Sequence, residues 1–161
     1  MSTQPSQVLG VIPARWGSTR FPGKPLHLIA GKPLVQHVWD RCRECSNLAF
    51  LTVATDDDRI AEAVTAWGGH VTMTREDHPS GTDRAAEVAS AFPEMTHILN
   101  IQGDEPLIDP GLIDALAAAL IADPGLPMIT AANPVAASDP VLADPNVVKV
   151  VIDRDGNALY F

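Results

Sequence analysis

Basic side chains are scarce in this 161-residue sequence: 11 Lys and Arg stand against 20 Asp and Glu, a formal net charge of −9. Gripping nucleic acid needs clustered cations to neutralise phosphates, so no nucleic-acid partner is expected. Cysteine is scarcer still. Cys42 and Cys45 are the only two, with no second pair and no His-x-x-x-His to complete a zinc site. They read as small core-facing residues one helical turn apart in a reducing compartment. No run of eighteen apolar residues occurs, and residues 1–7 carry neither a basic nor an apolar stretch. Neither a membrane span nor a secretory leader is therefore expected, and the expected location is the cytoplasm. The Gly-Lys-Ser/Thr ending of a P-loop and the Gly-x-Gly-x-x-Gly dinucleotide spacing are both missing. So are internal repeats, linkers and low-complexity segments.

What is present is the composition of a soluble domain, 46% hydrophobic and 19% charged, and the length suits one domain over 1–161. The β-branched run 8–12 reads as a buried strand, followed by a loop rich in Gly, Pro and cations to Pro25. Helical spacing of Leu34, Val35, Val38, Trp39 and Cys42 predicts a helix over 33–45, with Pro33 in its first turn. Residues 50–55 form a second strand, and 57–67 a helix whose acidic start suits its dipole. A short strand is expected at 70–72 and a helix from an N-cap at Thr82 to about Phe92. A strand at 97–101 and a helix at 110–122 follow. Further strands are expected at 128–134 and 147–153, with an Asp155-Gly156 hairpin turn into 157–161. Strands alternating with helices predict an α/β domain with a largely parallel sheet, whose ligands bind beyond the carboxyl ends of the strands.

Three clusters fall where that edge should be. Pro13-Ala14-Arg15-Trp16-Gly17-Ser18-Thr19-Arg20-Phe21-Pro22-Gly23-Lys24-Pro25 combines glycines that let backbone amides approach a ligand with Arg15, Arg20 and Lys24, and with the hydroxyls of Ser18 and Thr19. In so acidic a chain that local excess of cations suits a small anion; the alternative is a solvated basic loop. Asn100-Ile101-Gln102-Gly103-Asp104-Glu105-Pro106 puts a short carboxylate, Asp104, at a strand end, where it can hold Mg²⁺. A capped turn is the alternative there. Thr74-Arg75-Glu76-Asp77-His78-Pro79-Ser80-Gly81-Thr82-Asp83-Arg84 suits a helix N-terminus with no ligand. It also suits base reading, because a cytosine pocket must present acceptors to the exocyclic amino group and a donor to the ring.

Taken together these segments resemble the CMP-Kdo synthetases (3-deoxy-manno-octulosonate cytidylyltransferases). The resemblance runs through Val11-Ile12-Pro13-Ala14-Arg15, Ser18-Thr19-Arg20 and Pro22-Gly23-Lys24-Pro25-Leu26. It continues through Val53-Ala54-Thr55-Asp56, the Thr74–Arg84 segment, Gln102-Gly103-Asp104-Glu105-Pro106 and Pro145-Asn146 with Val148-Lys149-Val150-Val151. Trp16-Gly17 departs from the more usual Tyr-Ala or Phe-Ala. The resemblance implies a Rossmann-like three-layer α/β/α nucleotide-diphospho-sugar transferase fold with a mainly parallel, mixed sheet. It implies transfer of CMP from CTP to Kdo with release of diphosphate, for lipopolysaccharide biosynthesis, in an enzyme that as a full-length chain forms homodimers. By matching position, Arg15, Lys24 and Asp104 would be catalytic, with Asp104 the Mg²⁺ ligand. Pro13, Ala14, Arg15, Ser18, Arg20, Lys24, Arg75, Ser80, Gly81 and Gln102 would contact CTP. The family pattern continues beyond Phe161, so the chain reads as its CTP-binding N-terminal portion. A second metal-binding Asp, much of the Kdo pocket and most of the dimer surface would follow. The rival expectations are a fragment that binds CTP without catalysis, and a cytidylyltransferase for a related sugar acid such as an amino derivative of Kdo.

Overall fold

The computed structural model describes residues 6–17 and 21–161. They form two compact units, Met1–Ile129 and Thr130–Phe161. In the first, the elements in chain order are β1 (Val8–Pro13), the short strands β2 (Leu28–Ile29) and β3 (Lys32–Pro33), α1 (Leu34–Cys42), β4 (Phe50–Thr55), α2 (Asp58–Ala66), β5 (Val71–Met73), α3 (Gly81–Ala91), β6 (His97–Asn100) and α4 (Pro110–Ala122). β1, β4, β5 and β6 make one parallel sheet in the order β5-β4-β1-β6. The α/β class with a mainly parallel sheet is the fold expected from the sequence.

β1 and β4 read as continuous apolar runs because both faces of the sheet are covered. Along β1 the side chains alternate. Val8 and Ile12 join Val35, Val38, Trp39, Ile60, Val64, Ile113 and Ala117 in one cluster, the layer of α1, α2 and α4. Leu9 and Val11 join Ala85 and Val88 of α3 in the other. Gly10 sits where this packing is tightest, since a Cβ there would lie 2.9 Å from Leu51 and 3.0 Å from Leu48. The helix starts follow capping chemistry. Asp57 accepts a hydrogen bond from the Arg59 amide and Asp109 from the Gly111 amide, with Pro110 in the first turn of α4. For α3 the cap is Ser80, not the expected Thr82; its hydroxyl accepts from the Asp83 amide. Pro33 likewise precedes α1 rather than opening it. The β2–β3 hairpin was not foreseen. Its turn, Ala30-Gly31, has both residues at positive φ, 50° and 80°, and an alanine in the first left-handed position hides the usual sequence signal.

Cys42 is buried in the core, Cys45 is half-buried, and both are free. Burial pushes the Cys42 thiol up to about 12 and the Cys45 thiol up to about 11, so neither is a reactive thiolate at neutral pH. Among the described residues no helix is long and apolar enough to cross a membrane.

In Thr130–Phe161 a 3₁₀ turn, Pro140–Ala143, precedes β7 (Val151–Ile152) and β8 (Ala158–Tyr160). The strand expected at 128–134 does not form, and the one expected at 147–153 shortens to two residues. Both segments are apolar, but neither has a partner strand along its length. The Asp155-Gly156 turn does form: Gly156 has φ 88°, and the Asp153 carboxylate accepts from the amides of Asp155 and Asn157. The terminal run pairs antiparallel with β7 through Val151–Tyr160, as the expected hairpin requires.

Candidate active site

Strand order decides where a ligand fits. The chain leaves β1 for β4 and β5 on one side, then returns to place β6 on the other side of β1. The carboxyl ends of β1 and β6 therefore flank a topological switch point, where loops splay apart and leave a crevice. A cleft of about 280 Å³ opens there. Pro13, Ala14 and Arg15 reach it from the end of β1, and Gln102, Gly103 and Asp104 from the end of β6. Lys24 comes from the loop after β1, and Ser80 and Gly81 from the start of α3. Of the residues selected from the sequence, these eight (Pro13, Ala14, Arg15, Lys24, Ser80, Gly81, Gln102 and Asp104) line the cleft. Ser18 and Arg20 lie outside the described residues.

Arg75 does not line it. Its side chain pairs with Asp77 at 3.3 Å, and its backbone amide donates to Glu87 Oε2 at 3.1 Å. It borders a shallower cavity behind His78 instead. The Glu87 carboxylate holds the Arg75 amide and the His78 ring together on that side, and His78 borders both the cavity and the cleft.

Close approach builds the walls. A Cβ on Gly103 would stand 2.7 Å from the Pro13 carbonyl oxygen, so the two strand ends meet only because residue 103 has no side chain. The first turn of α3 also meets Pro13, at ordinary contact distance: a Cβ on Gly81 would lie 3.5 Å from the proline ring. The amino end of α3, with its partial positive charge, thus faces the cleft. Across it, Lys24 Nζ donates to Asp104 Oδ2 at 2.5 Å, with both side chains about half exposed. An ammonium and a carboxylate stand together at the rim, available to phosphate oxygens and to a cation. Lys32, a few residues further on, is spent elsewhere, on Asp40 of α1 at 2.5 Å.

Arg84 and His78 also line the cleft and were not singled out from the sequence. Arg84 is buried: its Nη2 donates to Asp56 Oδ2 at 2.6 Å, and its Nη1 donates to Thr74 Oγ1. It ties the ends of β4 and β5 to α3. The signal was its spacing, because residue 84 falls on the same helical face as the buried Ala85 and Val88. An arginine on an apolar stripe marks a paired internal charge. Leu34 and Pro25 complete the floor.

The profile of the family described as cytidylyltransferase matches residues 9–161, and the chain belongs to that family. It is 51% identical over 155 residues to the 3-deoxy-manno-octulosonate cytidylyltransferase of Geobacter metallireducens, covering 96% of this chain and 60% of that protein. It is 52% identical over 158 residues to the protein of that name from Solibacter usitatus, covering 98% and 62%. A solved structure of CMP:2-keto-3-deoxy-manno-octonic acid synthetase complexed with CTP superposes with a TM-score of 0.83 at 44% identity, over 96% of this chain and 63% of that one. The resemblance first drawn from the motifs is thus to the same group of proteins. The chain spans about 60% of the length of the curated relatives it matches.

Proposed function

We propose that this chain is the CTP-binding part of a cytidylyltransferase that activates Kdo, giving CMP-Kdo and diphosphate. The observation that carries this reading is the convergence of Pro13–Arg15, Lys24, Ser80-Gly81 and Gln102–Asp104 on one cleft at the switch point, in a chain of the cytidylyltransferase family. In this assignment Arg15 and Lys24 neutralise the triphosphate, and the amino end of α3 adds backbone donors. Ser80, Gly81 and Gln102 surround the base. Arg75 acts from behind, through the loop it shares with His78. In the reaction the anomeric hydroxyl of the sugar attacks the α-phosphorus in line and gives up its proton to solvent, the new P–O bond forms, and the bond to diphosphate breaks. The protein's share is positioning and stabilisation of developing charge.

The residues present fit Mg²⁺ carried by substrate. Among the described residues lining the cleft Asp104 is the single carboxylate, and no cluster of three or more His, Cys, Asp or Glu forms a cage. Mg²⁺ characteristically takes one or two carboxylates and fills its shell with phosphate oxygens and water. Asp104 would hold it, sharing its carboxylate with Lys24. When bound, the ion supplies charge neutralisation at the phosphates and acidifies a coordinated hydroxyl. The full-length protein as a homodimer, with Kdo as acceptor, belongs to the same proposal. So does the assignment of the whole of 1–161 to one nucleotidyltransferase domain.

Titration calorimetry with Mg·CTP, Mg·UTP and Mg·ATP, followed by diphosphate release with Kdo or a sialic acid as acceptor, tests the reading. CTP is expected to bind well ahead of the others, with diphosphate released only in the presence of Kdo. Lys24→Ala should lower the rate on the order of a hundredfold, the scale of losing a principal charge stabiliser. Equal affinity for CTP and UTP would overturn the base assignment. CTP binding without diphosphate release supports the second reading, a nucleotide-binding piece without catalysis.

A further inference from the structure

The end of the loop that carries Lys24 is held by a stack of groups from outside the cleft. Gly23 is left-handed at φ 69°, and its amide donates to the Trp16 carbonyl at 3.0 Å, closing the loop on itself. The Trp16 ring packs closely against Gly23: a Cβ on Gly23 would be 2.8 Å from Cη2 and 3.0 Å from Cζ2. Near that ring, the guanidinium carbon of Arg59 stands 3.4 Å from the ring centroid. Arg59 in turn is held by a fork, Nε to Asp57 Oδ1 at 2.9 Å and Nη2 to Asp57 Oδ2 at 2.6 Å. Asp57 is fixed because the same carboxylate caps α2. Immediately after Gly23 the Lys24–Leu26 turn begins, with the Leu26 amide donating to the Gly23 carbonyl at 2.9 Å.

The geometry points to Arg59 as a positioning residue: through the face of Trp16 it presses Gly23 into its left-handed form and so aims Lys24 at Asp104 and the cleft. The physical logic is that a lone tryptophan over glycine has no reason to keep one ring orientation. A planar cation forked to a helix cap supplies one, by stacking on the electron-rich face. This deepens the function proposed above and rests on it for the ligand. The contact itself belongs to the ligand-free protein.

The test combines spectra of the free protein with binding. Three indole N–H signals are expected in a ¹H–¹⁵N spectrum, and the one lost in Trp16→Phe is that of Trp16. In Arg59→Ala the Trp16 indole signal and the Gly23 amide signal should both move, while those of Trp39 and Trp67 stay. Asp57→Asn, which keeps a cap but breaks the fork, should move the same two. Arg59→Ala should weaken Mg·CTP binding about fivefold, the order one exposed cation–π contact carries. Trp16→Phe, which keeps an aromatic face, should weaken it less than Trp16→Ala. Unmoved Trp16 and Gly23 signals in Arg59→Ala would overturn the inference. So would signals that move while CTP affinity stays at the wild-type value. Should the wild type fail to bind CTP, the proposed function is wrong, and the ligand-free spectra still decide whether Arg59 holds the loop.

Discussion

Residues 1–129 and 130–161 are built from similar proportions of apolar side chains in different arrangements. In the first, Leu9, Val35, Val53, Ile60 and Val88 are wholly removed from solvent, and the sheet is covered on both faces. In the second, Val148 is 81% exposed, and Val151, Ile152, Leu159 and Tyr160 are exposed as well. The first unit is specified by long-range burial. The second is specified by local turn chemistry: the Asp153 carboxylate gathers the amides of residues 155 and 157, and Gly156 takes the left-handed step. A two-stranded hairpin of this kind holds its shape weakly on its own, whereas a four-stranded sheet between helix layers is cooperative.

The three tryptophans fall at 16, 39 and 67 and the single tyrosine at 160, so the two regions can be read separately by fluorescence. The largest expected effect comes from the buried Asp56–Arg84 pair. Asp56→Ala leaves a guanidinium buried without its carboxylate, and removing one partner of such a pair costs about 3–5 kcal/mol. The tryptophan-read urea midpoint should fall accordingly. A loss below about 1 kcal/mol would mean that the pair behaves as a screened surface contact, and the contrast between the regions would lose its strongest point.

A smaller effect sharpens the same contrast. Ile60→Ala, at a side chain with no exposure, should cost about 2–5 kcal/mol. Val148→Ala should stay within about 0.5 kcal/mol of the wild type, because so exposed a valine removes little apolar area from water. Paired urea titrations check both. Equal losses at the two sites would show that Val148 is covered in solution.

The contrast also explains what was legible in the sequence. β4 and α4 were expected at the bounds they have, because a β-branched run between polar turns and an Ala/Leu run after Asp109-Pro110 leave few alternatives. The three clusters meet at one cleft because each follows a strand of one parallel sheet, which periodicity alone predicts. Three features lay beyond that reach. The α3 cap at Ser80 competes with an equally suitable Thr82, and only the backbone of residue 80 decides. Arg75 and His78 lie three residues apart in one loop. Both are held by one carboxylate, Glu87, twelve positions after Arg75, and only His78 also reaches the cleft. The apolar stretches at 128–134 and 147–153 look like strands, but a strand needs a partner as well as a pattern.

The smallest expected effect is a pH dependence, and its sign is fixed. The hydrogen bond from His78 holds the Glu87 carboxyl below its ordinary value near 4.5, with the Arg75 amide adding to it. Because the folded value is the lower one, the unfolded chain takes up the proton first as pH falls. The stabilisation is therefore complete above the ordinary glutamate value and is lost as pH drops through the folded value. In Thr130–Phe161 the Asp153 carboxyl is held down in the same sense, first by the Asn157 side chain. Glu87→Gln keeps an acceptor for the Arg75 amide and removes the charge. The gap between wild type and variant in the tryptophan-read transition should be constant at neutral pH and should close through the acid range. The Tyr160 signal should show no such difference, since its own turn depends on Asp153. A gap that persists unchanged at the acid end would show that Glu87 acts through shape alone. The pairing with His78 would then have no part in holding the wall of the cleft.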